Sequence, residues 1–180
     1  STFFEYSRGG RFSYTYAGNI NGDPSGQNND LLYVPTSAEI QQMQFDPTGD
    51  PGQAVALDNY IAQDDYLSGR RGQYAERYGA QAPWRGRWDV KFLQDYKIKI
   101  SENKTNTIQF SVDVLNFGNL IRSEWGLVQQ PNNTSPVGVS VDPTTFEPTY
   151  SFNPNQTETF GYDSSLASRW QMQFGLRYIF

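Results

Sequence analysis

The side chains that most often carry chemistry in proteins are scarce in this sequence. Its 180 residues contain no Cys and no His, which excludes thiolate nucleophiles, disulfides, histidine bases and most zinc, copper or haem sites. The remaining carboxylates, among them Glu5, Asp64 and Asp65, form no recognisable acid/base pair with a neighbour in the sequence. We therefore expect no catalytic residue, no cofactor and no enzymatic activity.

Oxygen ligands for a hard cation are concentrated in residues 19–30. Asn19, Asn21, Asp23 and Asp30 partly match the spacing of a calcium-binding loop. The bidentate Glu that closes such a loop is missing, and Asn-Gly-Asp is also ordinary turn chemistry. A calcium site at these residues is therefore the weaker alternative to a simple turn, and we expect no other metal site.

A second group of polar residues, the arginine segment, combines charge with aromatic rings in residues 70–84. Its members are Arg70, Arg71, Tyr74, Glu76, Arg77, Tyr78 and Trp84. Arginine and aromatic side chains are enriched at recognition hot spots, which makes these residues candidates for ligand contact in a loop. An internal ion-pair network that folds the loop explains the same residues, and we favour that interpretation.

Four segments that alternate between apolar and polar residues must position these groups. They cover residues 3–17, 88–100, 107–118 and 169–180, and successive side chains in a strand point to opposite faces. The face that we predict to contact lipid consists of Trp88, Val90, Phe92, Tyr96, Ile98, Ile108, Phe110, Val112, Val114, Trp170, Met172, Phe174, Leu176 and Tyr178. The opposite face is mostly polar and includes charges such as Asp95 and Lys97, which suit a wet interior.

The predicted strands are long for a soluble sheet. Twelve residues at ~3.3 Å per residue span about 40 Å, and a tilt of ~45° leaves roughly 28 Å along the bilayer normal, close to the hydrocarbon thickness. Strands of soluble proteins usually have about 5–6 residues. A soluble antiparallel sheet with one buried face would give the same alternation, but the strand lengths favour a membrane.

The composition agrees with a membrane sheet. Aromatic residues make up 16% of the chain although its mean hydropathy is −0.68, a combination that suits a barrel with aromatic girdles and a polar interior. No apolar run approaches the ~20 residues of a transmembrane helix. The net charge of −5 argues against a nucleic-acid partner, since domains that bind nucleic acids usually carry a basic face.

The connections between the strands are unequal, which gives the sheet a direction. Residues 101–106 form a short polar turn, whereas residues 18–87 and 119–168 are very long connections. Short periplasmic turns and long extracellular loops are the pattern of outer-membrane barrels. We therefore predict extracellular loops and a periplasmic C-terminus, with Trp88 and Trp170 near the outer interface and Tyr178 and Phe180 near the inner one.

Local signals predict short elements within these loops. Residues 37–45 favour a short helix capped by Thr36 or Ser37. Residues 53–67 place apolar side chains at helical spacing, and Gly69 is expected to end that helix. Residues 19–30 are expected to be a turn, and the proline-rich residues 131–154 are expected to be irregular or to hold a short hairpin around residues 146–152.

Four motifs occur in order along the chain. They are residues 18–23 with 29–35 (GNINGD and NDLLYVP), residues 66–79 (YLSGRRGQYAERYG) followed by Pro83-Trp84 and Trp88-Asp89-Val90, residues 113–120 (DVLNFGNL), and residues 169–180 (RWQMQFGLRYIF). Together they resemble the C-terminal region of TonB-dependent outer-membrane receptors. The resemblance spans essentially the whole chain and looks strongest to the Oar-like group of Bacteroidota, which carries a carboxypeptidase-regulatory-like domain at the N-terminus.

The resemblance implies an all-β fold, namely the last four antiparallel strands of a large transmembrane β-barrel of about 22 strands with long extracellular loops. It implies a place in the Gram-negative outer membrane, with three partners: outer-membrane lipid, the remainder of the same barrel with its plug, and TonB, reached through an N-terminal region outside this sequence. It also implies that Leu176, Tyr178 and Phe180 act as the signal read by the barrel-assembly machinery. The sequence leaves open whether a surface lipoprotein covers the loops.

The function that the resemblance implies is active uptake of a nutrient ligand by a TonB-dependent transporter. Two alternatives from other classes stay open. In the first alternative, the barrel is a structural or interaction component of a surface or protein-secretion assembly. In the second, it is a passive porin. A plug domain and a TonB box ahead of residue 1 would distinguish the transporter from the porin.

Overall fold

The computed structural model describes residues 1–23 and 28–180, and the chain is mostly β, with 43% of its residues in strands and 15% in helices. In chain order the strands are β1 (Thr2–Arg8), β2 (Arg11–Phe12), β3 (Tyr16–Ala17), β4 (Tyr33–Val34), β5 (Gln73–Tyr74), β6 (Ala80–Gln81), β7 (Trp84–Ser101), β8 (Lys104–Leu115), β9 (Gln129–Pro131), β10 (Val137–Val141), β11 (Pro148–Phe152), β12 (Phe160–Tyr162) and β13 (Gln171–Ile179). The helices are α1 (Ser37–Ile40), α2 (Gln53–Gln63), α3 (Asp65–Ser68) and α4 (Phe117–Ile121), with a 3-10 turn at Leu166–Ser168.

The described residues divide into two compact units. The sheet unit consists of Ser1–Gly9, Pro83–Gln129 and Tyr162–Phe180. The loop unit consists of Gly10–Ala82 and Gln130–Gly161. Apart from residues 10–17, which were predicted to be strand, these two segments lie within the two connections that the sequence marks as long.

The sheet unit is built on four antiparallel strands in the order β1-β7-β8-β13. β7 has 18 residues, β8 has 12 and β13 has nine. β7 and β8 form a hairpin in which Ser101 pairs with Lys104, and the register shifts between Lys99 and Ser101. Because the strands are antiparallel, both long connections leave the sheet at the end opposite to this hairpin turn.

The register of the sheet aligns apolar residues of neighbouring strands on one surface, which we call the apolar face. The rows that cross β7, β8 and β13 are Val90, Val114 and Met172; Phe92, Val112 and Phe174; Gln94, Phe110 and Leu176; and Tyr96, Ile108 and Tyr178. Gln94 is the polar exception in these rows. The sequence pattern and the pairing register therefore define the same two faces in these three strands.

The first predicted strand, residues 3–17, is wrong beyond Arg8. β1 ends there, and the following residues enter the loop unit, where β2 pairs with β6 and β3 pairs with β10. Tyr14 and Tyr16, whose alternation suggested a continued strand, are 0% and 4% exposed in the core of the loop unit. Period-two alternation shows that a segment is extended, but it does not show which neighbour the segment pairs with.

The bounds of the other three predicted strands also differ from the prediction. The strand predicted for residues 169–180 is shorter and runs from Gln171 to Ile179. The strand predicted for residues 88–100 begins earlier, at Trp84, and the strand predicted for residues 107–118 runs from Lys104 to Leu115. Asn116 adopts a left-handed backbone conformation, with φ of 53°, and α4 begins directly after it. The predicted turn of residues 101–106 narrows to two residues because both flanking strands extend further.

The loop unit has a hydrophobic core of its own. Its largest fully buried apolar side chains are Tyr14, Leu32, Val34, Ile40, Leu57, Tyr60, Ile61, Leu67 and Val137. Core residues come from both segments of the unit, since Phe152 packs against Tyr60 with 5.4 Å between ring centroids. The connections that the sequence predicts as loops therefore contain an ordered core.

The short elements predicted for the loop unit are present in modified form. α1 is only four residues long. Its cap is Thr36, one of the two predicted residues, which forms a capping box with Glu39. The helix predicted over residues 53–67 is broken at Asp64, which caps α3 with its side chain. Gly69 ends α3 as predicted. A hairpin is present, but it spans residues 137–152, so that β11 lies in the predicted range of 146–152 and β10 precedes it.

Candidate functional site

The apolar face of the sheet carries large side chains that are exposed. On β7 and β13, Phe92 is 55% exposed, Tyr96 61%, Phe174 66% and Leu176 78%. Residues on the middle strand are more covered, because strands flank β8 on both sides: Val114 is 7% exposed, and Ile108 and Val112 are half-buried. A row of exposed aromatic and aliphatic side chains is costly in water, so this surface is the main candidate functional site.

Aromatic residues cluster at both ends of the apolar face. At the end with the long connections, Trp88 packs edge-on against Phe117 at 4.9 Å between ring centroids. At the end with the hairpin turn, Tyr178 and Phe180 stack at 5.8 Å, and the Asn106 amide donates a hydrogen bond to the Tyr178 hydroxyl. The arrangement suits an interface between apolar and polar solvent, where an aromatic ring is apolar and its hydroxyl or indole N–H is polar.

On the opposite face of the sheet, an ion pair and a hydrogen bond join β7 and β8. Lys91 on β7 pairs with Asp113 on β8 at 3.0 Å. Gln109 donates to the Asp95 carboxylate at 2.9 Å, so Asp95 bonds across the strands. These groups are solvated or partly solvated, which fits a polar surface in contact with water.

The arginine segment is used mainly for internal contacts of the loop unit. Arg70 forms an ion pair with Glu76 and lies over the Tyr66 ring, and Arg71 pairs with Asp58 at 2.7 Å. The Arg71 guanidinium also donates to the Pro35 and Asp58 carbonyl oxygens at 3.2 and 3.1 Å. The internal ion pairs that the favoured interpretation requires are therefore present.

The remaining members of the arginine segment do not form one cluster with these ion pairs. Arg77 lies over the adjacent Tyr78 ring at 5.5 Å, and Tyr74 packs edge-on against Tyr33 at 5.2 Å. The prediction that Trp84 lies in a loop is wrong. Trp84 is the first residue of β7 and belongs to the sheet unit. The strand extends further than the sequence suggests because β1 pairs with β7 as far as Arg8 opposite Trp84.

The residues of the weaker calcium alternative form turn hydrogen bonds. The Asn19 side-chain oxygen accepts from Gly22 N at 2.7 Å, and the Asn21 oxygen accepts from Asp23 N at 2.9 Å. The Asp30 carboxylate accepts from Ile20 N at 3.0 Å. Within residues 1–23 and 28–180 no three acidic side chains group as metal ligands, and residues 24–27 of the predicted turn lie outside the described residues.

Two groups of residues in these units were not predicted from the sequence. Phe4 and Tyr6 of β1 extend the apolar face, a signal that is visible in their alternation with Glu5 and Ser7. Asp64 forms a buried hydrogen-bonded cluster with Tyr14 and Thr159, which are far apart in sequence. No local pattern reveals the cluster, because its members meet only through the fold.

Hydrogen-bond donors surround the buried Asp64 carboxylate in the core of the loop unit. The Asp64 carboxylate accepts from the Tyr14 hydroxyl at 2.9 Å, from the Thr159 hydroxyl at 2.7 Å and from Leu67 N at 2.8 Å. Burial, reinforced by the Asp64 charge, raises the pKa of Tyr14 well above its ordinary value. The carboxylate is therefore satisfied by donors, and Tyr14 stays protonated as one of them.

Comparisons of this chain with protein-family models, with curated proteins and with solved structures give no match. Among the described residues, no helix combines the length and the apolar character needed to cross a bilayer.

Proposed function

We propose that this chain forms part of the wall and of the extracellular loops of a TonB-dependent outer-membrane transporter, which takes up a nutrient ligand actively. The observation that carries the proposal is the apolar face, whose large aromatic and aliphatic side chains on β7 and β13 stay exposed along antiparallel strands. Lipid is the solvent in which such a face is favourable. The motifs that resemble TonB-dependent receptors supply the class of transporter.

The open edges of the sheet agree with a place inside a larger barrel. The sheet order leaves β1 and β13 at its edges, each with one partner strand among the described residues. Unpaired backbone groups at a sheet edge are not tolerated in the hydrocarbon region. In the proposed barrel, strands from the remainder of the same polypeptide pair with both edges and complete the closure.

The direction of the sheet follows from its connections. The hairpin turn between β7 and β8 is short, and the two connections that contribute to the loop unit are long. In the proposed barrel the short turn is therefore periplasmic and the long connections are extracellular. The C-terminus is then periplasmic, where Leu176, Tyr178 and Phe180 are available to the barrel-assembly machinery. The plug and the TonB contact belong to the region outside this sequence.

Membrane insertion is tested by placing a cation on each face of β13. Phe174→Arg puts a charge into the proposed lipid contact near the middle of the strand, at a cost of about 2–4 kcal/mol. Gln173→Arg places the same charge on the opposite face. We expect the amount of folded protein in outer-membrane fractions to fall strongly for Phe174→Arg and to stay near the wild-type level for Gln173→Arg. Equal effects of both substitutions would contradict the proposed faces.

Transport is tested separately from insertion, in cells with and without TonB. We expect uptake of at least one member of a panel of labelled oligosaccharides, peptides and metal chelates to require this protein, TonB and the proton-motive force. Uptake that survives both TonB deletion and a protonophore would identify a passive porin. Deletion of the protein could instead leave uptake of the whole panel unchanged and remove another protein from the cell surface. That result would identify an assembly component.

A further inference from the structure

The loop unit contains a cavity of about 140 Å³, and all of its lining residues belong to that unit. Its floor is apolar, since the lining residues Leu32, Leu57 and Val137 are at most 2% exposed. Its rim consists of half-buried side chains, namely Tyr33, Glu39, Met43 and Tyr150. The volume is below that of a site for a drug-sized ligand, so it suits one aliphatic side chain and the polar group next to it.

Glu39 is the charged residue of the lining. Its carboxylate accepts from the Tyr33 hydroxyl at 2.8 Å, and from the N–H and hydroxyl of Thr36 at 2.8 and 2.9 Å. These donors are neutral, and within residues 1–23 and 28–180 Glu39 forms no ion pair. Arg71, which donates to the Pro35 carbonyl oxygen, pairs with Asp58 instead. The carboxylate is therefore held in place with its negative charge available to a ligand cation.

Three tyrosines line the cavity together with this carboxylate, namely Tyr16, Tyr33 and Tyr150. The Tyr16 and Tyr150 rings lie 6.3 Å apart between centroids. Burial, reinforced by the nearby Tyr150 hydroxyl, raises the pKa of Tyr16, so its hydroxyl stays neutral at neutral pH. Aromatic ring faces and hydroxyl oxygens are electron-rich and attract a cation. The lining therefore favours a cation beside an apolar group and disfavours an anion.

We infer that this cavity binds the amino terminus of a peptide whose first residue is aliphatic. The α-ammonium group lies at the rim beside the Glu39 carboxylate, and the aliphatic side chain fills the floor. A lysine side chain fits less well, because its cation lies at the far end of an alkyl stem and would enter the apolar floor, where an unpaired charge is costly. No bond is made or broken, so the site is a binding site. Uptake of the bound peptide rests on the proposed function, in which the loop unit is extracellular.

The experiment measures the affinity of the whole protein, purified in mild detergent, for short peptides at neutral pH. The probes are Leu-Ala-Ala, Gly-Ala-Ala, isocaproyl-Ala-Ala, which is Leu-Ala-Ala without its amino group, and N-acetyl-Lys-Ala-Ala. We expect Leu-Ala-Ala to bind best. Loss of the leucine side chain should weaken binding by at least about tenfold, and loss of the amino group by about fivefold. Equal or tighter binding of any of the other three peptides would overturn the inference.

Glu39→Gln tests the carboxylate with nearly the same side-chain shape. The readout is the ratio of the affinities for Leu-Ala-Ala and isocaproyl-Ala-Ala, which does not depend on how much of the variant is folded. We expect this ratio to fall by about fivefold. Glu147→Gln is the matched control, because it removes an exposed carboxylate of the same unit that does not line the cavity. An unchanged ratio in Glu39→Gln, or an equal fall in Glu147→Gln, would overturn the inference.

Met43→Trp tests the cavity without changing its charge. The larger side chain at the half-buried rim should obstruct the entrance and weaken binding of both Leu-Ala-Ala and isocaproyl-Ala-Ala. Thermal unfolding of the variant shows whether the loop unit is intact. Wild-type affinity of the folded variant for both peptides would mean that they bind elsewhere.

Cellular uptake distinguishes failure of this site from failure of the proposed function, because binding by the purified protein does not require TonB. Selective binding of Leu-Ala-Ala, together with uptake that requires this protein but not TonB, would support the site and overturn the transporter. Absence of selective binding, together with TonB-dependent uptake of another ligand by this protein, would overturn the site alone.

Discussion

Two buried polar side chains, Gln53 and Asp64, tie together the two chain segments of the loop unit. The Gln53 side-chain oxygen accepts from Phe152 N at 2.8 Å, and its amide donates to the Asp46 carbonyl oxygen at 3.0 Å. Thr159 donates to Asp64 at 2.7 Å and accepts from the Gln63 amide at 2.8 Å. Because Gln53, Asp64 and Thr159 are buried, a partner lost by one of them leaves an unsatisfied polar atom.

Thr159→Val tests this cluster with nearly the same side-chain shape. The substitution removes one donor to Asp64 and the acceptor for Gln63, so we expect the loop unit to lose about 1–3 kcal/mol of stability. Hydrogen–deuterium exchange of peptides that cover residues 60–68 and 150–161 should become faster. Thr144→Val, at an exposed position, is the matched control. Indistinguishable exchange in the two variants would mean that the cluster does not hold the segments together.

The short helix α1 shows how a local signal acts at the scale of one element. Thr36 Oγ1 accepts from Glu39 N at 3.3 Å, and the Glu39 carboxylate accepts from Thr36 N at 2.8 Å. The Tyr33 hydroxyl donates to the same carboxylate at 2.8 Å. The Thr36 backbone N–H, together with the Tyr33 and Thr36 hydroxyls, lowers the pKa of Glu39.

The lowered pKa gives the helix a pH dependence with a definite sign. The contribution of Glu39 to stability is complete above its unfolded-state pKa of about 4.3. It is lost as pH falls through the lower pKa of the folded state. Amide exchange of residues 36–40, corrected for intrinsic rates, should therefore lose protection on acidification in the wild type. Glu39→Gln keeps an acceptor without the charge, so an acid-dependent loss of equal size in this variant would refute the assignment.

Elements defined by local pattern were predictable, and those defined by distant partners were not. The alternation of residues 88–100 and 169–180 is long enough to indicate strands, and the capping box is visible in the run from Thr36 to Glu39. Tyr14 and Tyr16 also alternate, but they enter the core of the loop unit. Their partners, among them Val137 and Leu32, are known only from the fold.

At the scale of the whole chain, the long connections are the main feature that sequence analysis underestimated. The helical spacing of residues 53–67 indicates one apolar face, but the core that this face joins is built between residues 10–82 and 130–161, and no local pattern shows that the two segments meet. β3 pairs in parallel with β10 across more than a hundred residues of sequence. Such non-local pairing leaves no periodic signal in either segment.

The proposed lipid-contact surface also has a part that could be predicted from the sequence and a part that could not. The apolar rows of β7, β8 and β13 follow from the period of two, and the pairing register places them on one surface. A cavity beside Trp84 depends on Gly86, on the left-handed Asn116 and on Trp125, which come from different parts of the sheet unit. Local reading assigned Trp84 to a loop because the strand signal is weak before Trp88, where Arg85, Gly86 and Arg87 interrupt the pattern.

The central claim is that the apolar face contacts lipid and the opposite face contacts water, and a cysteine scan along β13 tests it most directly. These 180 residues contain no Cys, so a spin label can be placed alone at each of residues 171–178 once any Cys in the rest of the membrane-embedded protein has been replaced. We predict that accessibility to oxygen dissolved in lipid peaks at Met172, Phe174 and Leu176, and that accessibility to a water-soluble nickel reagent peaks at Gln171, Gln173 and Gly175. Accessibility to both reagents without a period of two, or water access at the even-numbered positions, would contradict the account.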